Sequence, residues 1–192
     1  MTSETLTHTE ISRSELTGDY DIDASHSRFG FVARHAMVTK VRGQFNDFEG
    51  TLRLDGENPA SSEGRLVVQA KSIDTRNEDR DAHLRSNDFF AMDEFPEITF
   101  ESTGVEPTDD EDKFRVTGDL TMRGVTKPVT LDVEFTGAAT DPWGNTRVGL
   151  EGSATVNRKD WGINWNAALE AGGVLVSEKV TIEFEIAAVK AN

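Results

Sequence analysis

The chain has 192 residues, 35 of them acidic and 20 basic, with a formal charge of −15, 36% hydrophobic residues and no cysteine. Such a length suits one domain, since a typical domain takes roughly 100 to 200 residues, and the acidic balance repels phosphate backbones and anionic membrane surfaces, which argues against a nucleic-acid partner. The missing cysteines exclude disulfides, thiolate metal sites and a cysteine nucleophile, and no window approaches the roughly 18 to 20 apolar residues of a membrane span.

Residues 1–18 are rich in Thr, Ser and Glu and lack the basic start and apolar run of a secretory signal. They read as a disordered polar tail on a cytoplasmic protein, with the domain over residues 19–192. After a short strand at Asp19 to Asp23, apolar and polar residues alternate with period two, the pattern of strands with one buried face. Phe29, Phe31 and Ala33 share a face. A long strand from about Val41 to Asp55 follows and carries Phe45 and Phe48, and Leu66, Val68 and Ala70 alternate in the next.

The segment from Glu78 to Phe90 has no such alternation, and its acidic start and Ala-Leu content suit one or two helical turns over one end of the sheet. Strands resume with Ile98 and Phe100, then Phe114, Val116, Leu120 and Met122, then Val129, Leu131, Val133 and Phe135. Val148, Leu150, Ala154 and Val156 follow, and the last strand has Val180, Ile182, Phe184 and Ile186 on one face. Turn residues separate them at Asp55-Gly56, Asp109 to Asp112, Gly124 to Pro128 and Asp141 to Asn145, whereas Trp161 to Gly173 reads as a long loop.

Short connections between amphipathic strands mean an antiparallel meander, and closing it hides the apolar face and removes exposed edges. The expected fold is therefore all-β, an extended eight-stranded antiparallel barrel with a helical excursion around residues 78–90. Gly118, Gly152, Ala154 and Ser102 stand beside inward phenylalanines, a mixture that either leaves a channel or reflects large-small complementarity.

Ordered motifs along the whole domain carry a family likeness. Tyr20-Asp21-Ile22-Asp23 with His26-Ser27, Phe31 to His35, and Arg42-Gly43-Gln44-Phe45 leading to Phe48-Glu49-Gly50 begin it. Ser72-Ile73-Asp74-Thr75, Asp81-Ala82-His83-Leu84, Ser86-Asn87-Asp88-Phe89-Phe90, Pro96 and Phe100-Glu101-Ser102 continue it. Gly118-Asp119-Leu120-Thr121, Gly124 to Val129, and Asn157 to Gly162 complete it. Over about residues 19–190 the chain resembles the YceI-like family. The resemblance implies a lipocalin-like barrel whose lumen binds a polyisoprenoid chain, often as a homodimer, with contacts spread along apolar lumen positions. It transfers the site as a face, made here of Phe29, Phe31, Ala33, Phe45, Phe48, Leu66, Val68, Phe100, Phe114, Val116, Leu120, Leu131, Val133 and Phe135, each of which has an ordinary core residue as its other reading.

Arg34, His35, Arg42, Arg158 and Lys159 flank strand ends and suit a phosphate or other polar head group, because the arginine fork matches phosphate oxygens. For Arg158 an ion pair with Asp160 is the other reading. His26, His35 and His83 lack metal-ligand spacing, so no metal and no cofactor beyond the lipid are expected. Three functions remain: a binder or carrier of an isoprenoid lipid or quinone, which is not an enzyme; an enzyme acting on such a lipid near His35, His83 and Arg158; or a filled barrel acting only through protein contacts.

Overall fold

The computed structural model describes residues 11–170 and 172–192. Alternating side chains produce eleven strand segments: β1 (Gly18–Ile22), β2 (Arg28–His35), β3 (Thr39–Phe45), β4 (Phe48–Leu54), β5 (Glu63–Gln69), β6 (Ile73–Asp74), β7 (Glu97–Pro107), β8 (Lys113–Met122), β9 (Val125–Thr140), β10 (Thr146–Asn157) and β11 (Lys179–Lys190). All pairings are antiparallel. Because β11 pairs with β1 at one end (Tyr20↔Lys190) and with β2 further along (Phe29↔Phe184), these two segments form one bent strand. In the same way β3 and β4, and β5 and β6, are bent single strands. Eight strands thus close into one meander barrel, with β3 from Thr39 to Gly43 running beyond its short pairing with β6.

The bends have local causes. Asp23 caps a short 3-10 turn at Ala24–His26 by accepting from the Ser25 backbone N–H. The long strand expected from Val41 to Asp55 breaks at Asn46-Asp47, where the Asn46 N–H leaves the ladder to donate to the Ser72 carbonyl.

One end of the barrel is closed by tight turns and by residues expected in the tail. From Ile11 onward those residues are structured: helix α1 (Arg13–Leu16) begins at Ser12, whose N–H donates to the Glu15 carboxylate. The Tyr20 hydroxyl donates to the Leu16 carbonyl at 2.8 Å, which ties α1 to the barrel. Residues 1–10, the rest of the expected tail, lie outside the described residues.

At the other end the expected excursion forms helix α2 (Glu78–Arg85), with Asn77 as N-cap. Buried Asp81 accepts from both the N–H and the hydroxyl of Thr75, and this pins α2 to the end of β6. The turn expected over Gly124 to Pro128 is shorter than that. Arg123 and Gly124, both at positive φ, make a two-residue hairpin, and Pro128 stands inside β9 opposite Asp119. Proline is tolerated there because β10 pairs with β9 only as far as Asp132, so its missing N–H breaks no bond on that side.

Candidate functional site in the barrel interior

The pleat sends every second residue inward, and the inward residues form one large apolar cluster and one small one. Of the fourteen lumen candidates, Phe29, Phe48, Val68, Leu120 and Val133 are buried in the large cluster. Phe45, Leu66, Phe100, Val116 and Leu131 pack against it while keeping part of their surface accessible. Phe135 belongs instead to the small cluster around Tyr20, Val148 and Ala188 near α1. Phe31, Ala33 and Phe114 are partly buried and belong to neither cluster.

At three positions the small residues do not leave space. The rings of Phe31, Phe100 and Phe184 lie over Gly43, Gly118 and Gly152, so that a Cβ on any of these glycines would overlap an aromatic ring. Of the two readings of the small inward residues, large-small complementarity holds at Gly118 and Gly152, and Gly43 follows the same rule. Phe29 anchors the middle of the barrel, edge-on to Phe48 at 4.8 Å and stacked with Phe184 at 6.0 Å.

The end bearing α2 carries an aromatic cover. Trp161 is 2% exposed, and its indole N–H donates to the Leu120 carbonyl at 2.9 Å. Phe89 and Ile163 are buried beside it in the same cluster. Above them His83 lies edge-on between Phe89 (5.0 Å) and Trp165 (4.5 Å), and its Nε2 bonds Asp88 at 2.8 Å. Period-two alternation could not reveal this cover, since its residues come from α2 and from the connections that follow α2 and β10; only the Trp-rich composition of 161–173 hinted at it.

The proposed head-group cations do not converge. Arg34 and Arg42 occupy the positions of β2 and β3 that alternate with inward Phe31, Ala33, Val41 and Gly43, so the pleat turns them outward. Arg42 lies 3.6 Å from Glu183, and Arg34 donates weakly to its own hairpin at the Val38 carbonyl. His35 is exposed at the hairpin, bridged to Val176. Arg158 is 5% exposed and donates to the carbonyls of Ile163, Ser177 and Val176, while Lys159 pairs with Glu178. Arg158 is therefore a loop anchor, engaged with carbonyls rather than with Asp160, and burial pulls its pKa down from the usual arginine value.

Among the described residues, a larger and a smaller concavity border the wall. The larger, about 630 Å³, is lined by a row of charged partners, Lys113, Glu134, Glu151, Glu185 and Arg28, beside the inward residues Phe114, Val133 and Phe184, and the charged row does not suit an apolar chain. The smaller, about 260 Å³, sits where the first two strands bend and is lined by Ser27, Arg28, Gln44, Asn46 and the inward residues Phe45 and Phe48. Among the described residues no group of three His, Cys, Asp or Glu is placed to hold a metal ion, and no helix is long and apolar enough to cross a membrane.

A family profile described as the YceI-like domain matches residues 20–188. A UPF0312 protein of Staphylococcus aureus is 39% identical over 166 residues, which is 86% of this chain and 94% of the relative. A UPF0312 protein of Pseudomonas aeruginosa is 41% identical over 150 residues, 77% of this chain and 78% of the relative. Among solved structures, the Campylobacter jejuni YCEI protein is similar at a TM-score of 0.71 and 26% identity, covering 83% of this chain and 90% of its own. Burkholderia cenocepacia BcnA is similar in fold, with TM-score 0.76, 20% identity and coverage of 86% and 98%. So is a polyisoprenoid binding domain from Saccharophagus degradans implicated in plant cell wall breakdown, with TM-score 0.66, 17% identity and coverage of 90% and 98%.

Proposed function

We propose that this chain, which belongs to the YceI-like family, binds a long-chain polyisoprenoid lipid or isoprenoid quinone inside its barrel and carries or stores it without changing it chemically. One observation carries the reading. Leu66, Phe100, Val116, Leu131 and Ile182 point inward from their strands yet remain only partly buried, so the closed barrel presents an apolar inner wall that its own side chains do not fully cover. That the Saccharophagus degradans neighbour is a polyisoprenoid binding domain supports the choice of ligand.

An apolar wall suits such a ligand energetically. Each five-carbon unit buried contributes roughly 2 to 4 kcal/mol gross at about 0.8 kcal/mol per methylene, so several units outweigh the ordering cost. Length of contact, rather than one residue, then sets affinity. The same wall offers no convergent nucleophile, base and anion-stabilising donors, which favours binding over turnover. A filled barrel acting through protein contacts is the second reading, and the rings seated on Gly43, Gly118 and Gly152 favour it.

Intact mass spectrometry and solvent extraction of the protein as purified separate the two. A stoichiometric isoprenoid, or a rise in melting temperature on adding a polyprenyl compound to delipidated protein, is expected. Lipid-free preparations with no such rise would leave the filled barrel.

A further inference from the structure

The hairpin joining β2 and β3 is at odds with the rest of the molecule in three ways. Between Asp23 and Asp47 the chain carries no acidic residue and four basic ones, Arg28, Arg34, Lys40 and Arg42, in a protein of net charge −15. At its tip Met37 and Val38 are 59% and 78% exposed, and among the described residues the other exposed large hydrophobic side chains are Trp143 and Val174. Ala36 and Met37 both hold positive φ (51° and 63°), a two-residue turn that Asn-Gly would make with less strain.

Stability explains none of these choices. Arg34 and Lys40 are direct cross-strand partners, an unfavourable pairing of like charges, and neither makes an ion pair with a carboxylate among the described residues. Met37 leans on Gly173, and Val174 adds a third exposed apolar side chain from the loop that His35 and Ala36 bond through Val176 and Leu175. The result is an apolar tip above a collar of unneutralised cations, at the same end of the barrel as the aromatic cover.

We infer that this hairpin docks on an anionic lipid surface, with Met37 and Val38 entering the headgroup boundary and Arg34 and Lys40 meeting lipid phosphates. Basic residues next to exposed apolar ones are the combination that binds such surfaces, apolar burial adding to electrostatic attraction. The acidic remainder of the molecule does not forbid the approach, because charges farther than about 8 Å from the surface are largely screened at physiological salt. The role rests on the lipid-carrier reading, since a barrel that takes its ligand from a membrane needs its covered end against that membrane. The docking itself does not rest on it.

The test is flotation of the full chain with vesicles of phosphatidylcholine alone or with about one third phosphatidylglycerol. Wild-type protein is expected to float with the anionic vesicles only, and to be released as salt is raised. Lys40→Gln should weaken this about fivefold, and Met37→Asn with Val38→Ser about tenfold or more. Asparagine tolerates the left-handed backbone at residue 37, so these variants should keep the wild-type melting temperature. Failure of the wild type to float, or variants that float as well as wild type, overturns the inference. So does a dimer in sedimentation velocity that the tip variants dissolve, which would assign the tip to a second copy of the chain. A polyprenyl titration of the same proteins without vesicles keeps the two readings apart: hairpin-dependent flotation without polyprenyl uptake supports docking and overturns the lumen reading alone.

Discussion

The ring of Phe31 lies over Gly43, its direct cross-strand partner, and leaves no room for a side chain there. Gly43→Ala should therefore destabilise the protein by about 1 to 3 kcal/mol, the usual cost of an extra methyl in a filled position. In a Phe31→Ala background the same substitution should cost less, the remainder coming from the buried Thr75 methyl, and denaturant unfolding of the two single variants and the double variant measures that coupling. Equal costs in both backgrounds would mean that the ring is not what excludes the methyl group.

Phe29 and Phe31 share a face, but only Phe29 is buried in the main cluster, between Phe48 and Phe184. Phe29→Ala should cost about 3 to 5 kcal/mol of stability. Phe31→Ala should cost less and lower polyprenyl affinity by about tenfold, and Arg65→Ala on the outer face should change stability by no more than about 0.5 kcal/mol. Urea titrations with a parallel lipid-binding titration provide the comparison; a larger stability loss at Phe31 than at Phe29 would place the filled core at the wrong residue.

Arg158 holds three carbonyls of the 158–178 connection, and removing it takes this donor from the buried bond to Ile163 and the part-buried one to Ser177, while Val176 keeps Asn166. Arg158→Met keeps much of the volume and should lower stability by about 2 to 4 kcal/mol. Polyprenyl affinity measured well below the melting temperature should change little. A stable variant with weakened binding of a phosphate-bearing polyprenyl ligand would return Arg158 to the head-group role.

Asp23 accepts from the Ser25 hydroxyl, from Arg147 at 2.8 Å and from His26, and these bonds hold its carboxyl well below the usual carboxylate range. In the unfolded chain the group returns to about 3.9. The stability it contributes is therefore complete above about pH 4 and is lost as pH falls through the depressed folded value. The gap in unfolding free energy between wild type and Asp23→Asn should be constant from about pH 5 to 8 and narrow below about pH 4. A gap that keeps its size down to pH 2.5 would show that the carboxylate form has no special partners in the folded protein.

The alternation of apolar and polar residues by itself determined the strands, the turn at Asp141, where the carboxylate accepts from Trp143 and Asn145, and which residues of each strand face the interior. These were legible because the pleat is a local rule with period two, written into any few consecutive residues. The same rule already implied that Arg34 and Arg42 point outward, against their use as head-group ligands. Closure in three dimensions decided the rest. Phe89, Trp161 and Ile163 join the interior from segments outside the strands, where no period of two marks an inward side. The break at Ala24–His26 arises because one strand must pair with β11 on both sides of a corner, and that at Asn46-Asp47 because the next strand follows it round, β3 pairing with β2 and β4 with β1. Arg158 reads like a surface cation until its loop folds back and surrounds it with carbonyls. Each of these depends on which distant backbone or side-chain groups arrive beside it, and a run of neighbouring residues does not contain that.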